Sequence, residues 1–429
     1  IAEKFGVGSE ALSDASTATI TMADGASDAF RSFSLTLTGS LSQACTVTLA
    51  PNTLSNVWVI QNSAGNSVII KQGTGSTVTI PNGGIKMVAT DGAGSGGAVT
   101  DVLDVTGGTG NIGLGSGSLG TGLTTGTDNV AIGENAGDAL TTGSDNTLVG
   151  DNAGGALTTG TDNIAIGSAA LDTEDTGARS VAIGSNALTA QNNDGNNYNV
   201  AVGYNSGAAA TSGIRNNFFG AESGESLTTG DDNIAIGYQT LTSETQGNRT
   251  VAIGNNALDA QNSTTDTNMY NVGVGYAAGG SITTGQNNVL LGALAGDALT
   301  DADANIAIGK SALSADTLGS KSIAIGLGAL QSQNFTTATD SFNTAVGHGV
   351  GASITTGTEN TLIGGEAGDA ITTGSTNTLV GYLSGSAITT GGANTAVGRK
   401  AMEATTTSSD SVAVGSNAMR VNTTGGDNT

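Results

Sequence analysis

Short apolar triplets, each closed by a glycine, recur along the last three hundred residues of the chain. The first clear copy is NVAIG at 129–133, and thirteen of the sixteen spacings between equivalent glycines are 17 residues, the others being 19, 21 and 21. A unit this short cannot bury its own apolar side chains, so neighbouring units must stack. The pattern predicts a parallel β-solenoid with 17-residue coils. The anchor glycines are Gly133, Gly150, Gly167, Gly184, Gly203, Gly220, Gly237, Gly254, Gly275, Gly292, Gly309, Gly326, Gly347, Gly364, Gly381, Gly398 and Gly415.

The triplets are apolar on both faces of the strand. Side chains alternate along a strand, so the first and third residues share one face and the middle residue, mostly alanine, takes the other. One face fills the coil and the other needs a partner. We predict that the alanine column is the seam of a homotrimer; the alternative is a monomer whose thick core is capped by its own chain. The candidate interface is Ala131, Ala165, Ala182, Ala201, Ala235, Ala252, Ala307 and Ala324.

A second period of four coils is superimposed on the first. Four residues after the anchor the chain carries Gly137 and Gly154, then Leu171 and Leu188, and this order recurs. The asparagine four residues before the anchor, as at Asn129, becomes serine or threonine in the last coil of each block. Stacked asparagines form amide ladders, so we expect one along the solenoid.

Before the repeats the pattern changes to alternating β-branched runs. Six short runs, beginning near residue 33 and ending near residue 88, predict a small antiparallel sandwich or barrel with Trp58 in its core. Gly113 and Gly115 mark an irregular first coil of the solenoid. The predicted fold class is therefore all-β. Its parts are a connecting arm (1–27), a small β-sandwich (28–92), a glycine-rich transition (93–122) and a β-solenoid (123–429), truncated at the C-terminus.

Extra residues follow the second coil of each block that carries leucine four residues after its anchor glycine. They predict three side loops, at 191–198, 261–270 and 331–342. Insertions in a solenoid emerge on one side and often form its binding surface, and amides beside an aromatic ring suit a glycan. The identical placement of the aromatic residue before asparagine favours a structural role instead, in which its side chain folds back and fills a gap at the end of the coil. The candidate receptor or glycan residues are Asn193, Tyr198, Asp266, Tyr270, Asn334, Phe335 and Phe342.

Composition narrows the range of partners. The net charge of −24 argues against nucleic acid and anionic membranes, which both require clustered lysine and arginine. No apolar run approaches the ~18 residues of a membrane span, so we expect no membrane insertion, and no signal peptide is recognisable. Cys45 is the only cysteine, which excludes a disulfide framework. Because the chain begins at Ile1 and ends inside a repeat, we interpret it as a segment of a longer polypeptide.

Catalytic and metal chemistry have little support in the sequence. His348 is the only histidine, and the acidic residues are not aligned between coils, so neither a hydrolytic triad nor a carboxylate pair can be assigned. We predict no enzyme, no cofactor and no metal. Asp128 and its equivalents could hold a cation, but Asx turns explain them equally well. The recurring Thr-Thr-Gly sequence, as at Thr124-Thr125-Gly126, suggests an ice-binding surface. A turn that ends on a left-handed glycine is the simpler explanation.

Repeats such as NIAIG at 163–167 and SVAIGSNAL at 180–188 resemble the heads of trimeric autotransporter adhesins, which are left-handed parallel β-rolls joined as trimers. The repeat here is longer than the usual adhesin repeat and carries Thr-Thr-Gly corners. This longer repeat follows N-terminal segments such as NVWVIQN at 56–62 and TIPNG at 79–83. The combination is more similar to tail-fibre proteins of marine phages.

The resemblance implies a homotrimeric viral tail-fibre shaft in the extracellular virion tail. Such a shaft mediates host attachment through side loops or through a distal tip missing from this segment. Its partners would be its own copies, other virion tail proteins and a glycan or protein of the host surface. The alternatives are a bacterial trimeric adhesin at the cell surface and an ice-binding or scaffolding solenoid.

Overall fold

The computed structural model describes residues 7–22, 31–105 and 110–428. Within these ranges the chain is all-β apart from short 3-10 segments at Arg31 and Gly94–Gly96, with small sheets first and a parallel β-solenoid after them, which confirms the predicted fold class. Parts of the predicted arm, sandwich and transition, at 1–6, 23–30 and 106–109, lie outside the described residues. The chain divides into two compact units, one of 1–183 with 192–196 and one of 184–191 with 197–429.

The N-terminal part of the first unit consists of two sheets, which contain all six strands predicted from the sequence. One sheet has the order β1-β3-β5-β8-β9 and the other β2-β4-β6-β7. The strands are β1 (Val7–Leu12), β2 (Thr17–Thr21), β3 (Ser34–Gly39), β4 (Cys45–Ala50), β5 (Ser55–Ser63), β6 (Val68–Lys71), β7 (Val78–Ile80), β8 (Ile85–Asp91) and β9 (Val99–Val105).

Strand pairing corrects the predicted antiparallel sandwich. The chain alternates between the two sheets, so β1, β3 and β5 pair in parallel, as do β2, β4 and β6. Antiparallel pairing begins only at β7 and β8, where the chain turns back within each sheet. The predicted connecting arm also needs correction, since β1 and β2 lie in it and extend the two sheets. Its small polar residues had masked the alternation.

The N-terminal core lies between these sheets. Trp58 is fully buried, as predicted, and packs in one cluster with Leu35, Val47, Ile60 and Ile70. Cys45 belongs to the same cluster, and burial raises the pKa of its thiol. A buried thiol with a raised pKa is a poor nucleophile, so this cysteine has a packing role.

The solenoid strands are each three residues long and follow one another in chain order. Neighbouring strands pair in parallel and in register within the first unit and within the second. They are β10 (Ile112–Leu114), β11 (Val130–Ile132), β12 (Thr147–Val149), β13 (Ile164–Ile166), β14 (Val181–Ile183), β15 (Val200–Val202), β16 (Asn217–Phe219), β17 (Ile234–Ile236), β19 (Val251–Ile253), β21 (Val272–Val274), β22 (Val289–Leu291), β23 (Ile306–Ile308), β25 (Ile323–Ile325), β27 (Thr344–Val346), β28 (Thr361–Ile363), β29 (Thr378–Val380), β30 (Thr395–Val397) and β31 (Val412–Val414).

The anchor glycines are required by the close stacking of the coils. Gly133 has φ of 140°, and a Cβ atom at this position would lie 2.3 Å from the carbonyl oxygen of Gly150 in the next coil. The same approach recurs from coil to coil. Only glycine fits both the conformation and the space, which explains the repeat that the sequence displays.

The two faces of the solenoid strands are the reverse of the prediction. All eight alanines of the candidate trimer interface, Ala131 among them, have no exposed surface and line the interior of the coil. The first and third residues of each strand point outward, and Ile132 is 38% exposed. The alanine column is therefore not an interface between chains. The reason is volume, because a 17-residue coil leaves room mainly for small side chains.

Larger interior residues occur where glycines leave space for them. Leu148 takes the middle position of β12, and a Cβ added to Gly137 or Gly154 would lie 2.6 Å or 2.8 Å from its methyl carbons. Phe218 of β16 is accommodated by Gly207 and Gly224 in the same way. Part of the four-coil period therefore reflects packing, because glycine leaves the space that a large interior side chain of a neighbouring strand occupies.

The predicted asparagine ladder is present inside the coils. Asn146 donates from its backbone nitrogen (3.1 Å) and from Nδ2 (2.9 Å) to Oδ1 of Asn129 in the preceding coil. Its Nδ2 also donates to the carbonyl oxygen of Gly160 (2.9 Å). These asparagines have no exposed surface, so the ladder satisfies buried backbone groups that would otherwise destabilise the narrow interior.

Candidate functional site

Short strands near the ends of the second and third loops pair in parallel with the preceding coil. In the second loop β20 (Thr267–Asn268) pairs with β18 (Gly247–Asn248), and in the third loop β26 (Thr339–Asp340) pairs with β24 (Gly319–Ser320). In the first loop a single parallel bridge joins Ala178 and Asn196. Each loop is therefore bound to the preceding coil by backbone pairing.

A fully buried carboxylate lies behind the second loop. Oε1 of Glu244 accepts hydrogen bonds from the backbone nitrogens of Thr245, Gln246, Gly247 and Ser263, at 2.8–3.1 Å. Its Oε2 accepts one from Nε2 of Gln261 at 2.8 Å. Because Ser263 lies near the start of the loop, the carboxylate holds the region where the loop leaves the coil.

Gln261 connects this carboxylate to the asparagine ladder. Its Nε2 also donates to Oγ1 of Thr250 (3.0 Å), which occupies the ladder position in its coil. Its Oε1 accepts from Nδ2 of Asn271, the next asparagine of the ladder (2.8 Å). The ladder is therefore continued through glutamine at this rung, where threonine replaces asparagine.

The third loop has the same arrangement with a shorter acid. Oδ1 of Asp316 accepts from the backbone nitrogens of Gly319 (3.1 Å) and Phe335 (3.0 Å), and Oδ2 accepts from Nε2 of Gln333 (2.6 Å). Glu174, before the first loop, is also fully buried and accepts from the nitrogen of Gly177 (2.7 Å).

Sequence analysis missed these three carboxylates, although a signal for them exists. They occupy the position that is leucine in other coils, so an acid in an apolar column marks the coil before each loop. The leucines at this position are Leu140, Leu157, Leu227 and Leu299.

The three loop aromatics face solvent and do not fill a gap in the coil. Tyr198, Tyr270 and Phe342 are 49%, 50% and 53% exposed, and each adopts a left-handed conformation at the corner where its loop ends. Arg249 lies 6.0 Å from the ring centroid of Tyr270, and Nζ of Lys321 lies 5.3 Å from that of Phe342. Each of these two rings is thus steadied by a cation from the preceding coil.

The other predicted loop residues have less uniform surroundings. Phe335 is only 6% exposed, so its side chain is unsuited to contact a receptor, and the prediction is corrected at this position. Oδ1 of Asp266 accepts from Nδ2 of Asn248 (2.6 Å), and Oδ1 of Asn334 accepts from Oγ1 of Thr317 (3.1 Å). Asn193 is half-buried. Asp266 and Asn334 are both exposed, so the accessible recognition chemistry of the loops consists of these two polar side chains and the three aromatic ones.

Charged side chains form a short ladder beside the second loop. Nε of Arg215 donates to Oδ1 of Asp232 (2.5 Å), and this hydrogen bond is the main cause that lowers the pKa of that carboxyl group. Arg249 lies 3.9 Å from the other carboxylate oxygen. These groups are largely solvated, and such pairs contribute little to stability. Their role is to order the corner.

Several acidic side chains that follow the anchor glycines in the sequence are partly buried. Burial raises the pKa of Asp172, and the carboxylates of Asp138 and Asp151 raise it further. Burial likewise raises the pKa of Asp297 and Asp369. These groups oppose folding when they are ionised, and this penalty is lost as the pH falls through the raised pKa of the folded state. Over the described ranges no group of three or more histidine, cysteine or acidic side chains is placed to hold a metal ion.

The outward face of the solenoid sheet is an apolar surface that recurs from coil to coil. We define it as the first and third residues of the strands, which are mostly valine, isoleucine and leucine. Exposed members include Ile132 (38%), Phe219 (41%), Ile236 (38%) and Ile363 (41%). An extended apolar surface of this kind marks an interaction site.

A cavity of about 450 Å³ lies between β7, β9 and the first solenoid coil. Its described lining consists of small and β-branched residues with one titratable side chain, Asp101. Oδ2 of Asp101 is bound by Nζ of Lys86 at 2.7 Å. No helix among the described residues is long and apolar enough to cross a membrane.

Comparison of the chain with known proteins identified no relative. No protein-family model matches the chain, and neither a curated protein nor a solved structure matches it.

Proposed function

We propose that this chain is the shaft of a viral tail fibre that assembles as a homotrimer and mediates host attachment. The observation that carries the proposal is the outward face, an apolar strip that recurs coil after coil on a chain with a net charge of −24. Apolar strips of this length are costly on an acidic, solvated protein unless a partner covers them. A parallel copy of the chain offers the same strip at the same ~4.8 Å strand spacing.

Recognition of the host belongs, in this proposal, to the side loops or to a tip beyond this segment. Tyr198, Tyr270 and Phe342 are exposed at equivalent corners, so three chains would present nine copies of one type of contact. Weak sites repeated on one particle gain avidity. A glycan or protein of the host surface and other virion tail proteins are the partners this proposal requires, with the virion tail as its location.

Light scattering on a sizing column tests the assembly. We expect a mass of about three times the 41.5 kDa chain, because the outward face must be covered. A monomeric mass would contradict the homotrimer.

Attachment needs a separate experiment. Antibodies against the chain should label virion tails in electron micrographs, and the purified chain should compete with virions for adsorption to host cells. Labelling of bacterial surfaces without virions would favour the adhesin alternative, to which the 163–167 repeat also bears a resemblance. Thermal hysteresis of the purified chain would favour ice binding instead.

A further inference from the structure

Three exposed tyrosines form a column of their own in the second unit. Tyr204, Tyr238 and Tyr276 each follow an anchor glycine directly and are 53%, 48% and 60% exposed. Hydrogen bonds between successive coils establish the alignment: the nitrogen of Glu222 donates to the carbonyl oxygen of Tyr204 (2.8 Å), and that of Asn256 to the carbonyl oxygen of Tyr238 (3.1 Å).

The tyrosines recur on alternate coils, with Ala221 and Asn255 at the same position in the coils between them. Two coils correspond to two strand spacings, so the rings are roughly 10 Å apart along the stack. This distance is close to the length of one disaccharide in an extended β-1,4-linked polysaccharide. A pyranose ring presents an apolar C–H face that stacks on an aromatic ring, as other flat apolar groups do.

A row of amides and carboxylates runs beside the tyrosines. It consists of the residues one position further along each coil: Asn205, Glu222, Gln239 and Asn256. Nε2 of Gln239 donates to Oε2 of Glu222 (2.8 Å), and Nδ2 of Asn205 donates to Oε1 of Glu225 (2.9 Å). These half-buried side chains are held in place by one another and keep further hydrogen-bonding capacity for hydroxyl groups.

We propose that these tyrosines and the adjoining row, together the tyrosine strip, bind a neutral, linear β-1,4-linked polysaccharide that lies along the stacking direction. Aromatic faces at disaccharide intervals stack on alternate sugars, and the row of amides and carboxylates binds their hydroxyl groups. The polymer is neutral because Glu222, Glu225 and the net charge of −24 repel an acidic one.

The distribution of the tyrosines distinguishes this site from the proposed interface between chains. The apolar outward face recurs in every coil, whereas the three-tyrosine run is confined to the coils whose anchors are Gly203 to Gly275. Tyr382 occupies the same position but stands alone, because two coils away on either side are His348 and Ser416. The proposal does not require the chain to be a tail fibre.

The test is binding of the full chain to chitin and cellulose, with alginate as the acidic polymer and dextran as the flexible one. We expect retention on chitin or cellulose, and on neither control polymer. Tyr238→Ser should weaken binding about tenfold, as for removal of a central aromatic anchor, and the triple variant Tyr204→Ser, Tyr238→Ser and Tyr276→Ser should abolish it.

Tyr382→Ser is the matched control, because it removes an equally exposed ring from the same column without interrupting the strip. It should bind as the unaltered chain does. The proposal is overturned if the unaltered chain binds neither chitin nor cellulose, or if the triple variant binds as Tyr382→Ser does. It is also overturned if the triple variant alone changes the mass measured by light scattering, since the rings would then be contacts between chains.

Discussion

At the scale of single residues, the interior of the solenoid is unusual in enclosing carboxylates. Glu244 has no exposed surface, yet five donors from two coils surround its oxygens. A buried charge destabilises a protein unless hydrogen bonds replace its hydration. Four of these donors are backbone amides, three at residues 245–247 and one at Ser263 of the second loop, so the acid exchanges its water shell for groups that would otherwise be unpaired.

We expect Glu244→Ala to destabilise the coils around the second loop by about 2–4 kcal/mol, because four amides lose their acceptor. Hydrogen exchange of the amides of residues 245–247 and 263 measures the effect locally. Glu134→Ala, which removes an exposed acid, is the control. Unchanged protection of these amides in Glu244→Ala would show that the carboxylate does not hold the loop.

At the scale of the element, a three-residue strand gives too little information to assign its faces. Val130, Ala131 and Ile132 are all apolar, and a period of two fits either orientation. The sequence therefore predicted the strand, its register and its glycine, but not that alanine points inward. Interior volume decides this, because the coil that a 17-residue repeat can build admits Leu148 only where Gly137 and Gly154 give way.

The loops show the same limit of prediction. Their positions followed from the spacing of the glycines, and the exposure of Tyr198, Tyr270 and Phe342 agrees with a role in recognition. The carboxylates behind them were missed because an acid within an apolar column was counted among scattered surface charges. The arm was misassigned because the alternation in β1 and β2 involves mainly small residues.

The assignment of faces makes opposite predictions for two substitutions. Ala252→Glu places a carboxylate inside the coil without donors, so we expect loss of the β circular dichroism signal. Ile236→Glu places one on the outward face, so we expect a folded chain whose mass falls to that of a monomer. Circular dichroism and light scattering on both variants measure the outcomes. A folded, fully assembled Ala252→Glu variant would contradict the inward orientation of alanine.

At the scale of the whole molecule, strong negative charge coexists with the apolar outward face. Acidic and basic residues number 36 and 12, and the sequence pI is about 4.1. Mutual repulsion at neutral pH keeps such a chain dispersed, whereas attraction between apolar surfaces does not depend on pH. The balance between the two therefore shifts with protonation of the surface carboxylates.

We expect the chain to associate beyond its assembled state as the pH falls toward 4.1, because the net charge vanishes there. Dynamic light scattering between pH 7 and pH 4 measures this, and salt at pH 7 should have a weaker effect of the same sign. A hydrodynamic radius that stays constant down to pH 4 would show that charge repulsion is not what keeps the assembled chains apart.

The buried carboxylates also constrain how such a chain can change in length. They are separated by 244 − 174 = 70 and 316 − 244 = 72 residues, one block of four coils each time. Loss of the coil that carries the acid, or of the coil that precedes the loop, would leave an acid without its loop or a loop without its acid. Gain or loss of a whole block preserves every pairing and changes the number of loops by one, so that reach and valency change together. The remaining coils carry neither group, and the last block, with five anchors from Gly347 to Gly415, has one coil more than the others.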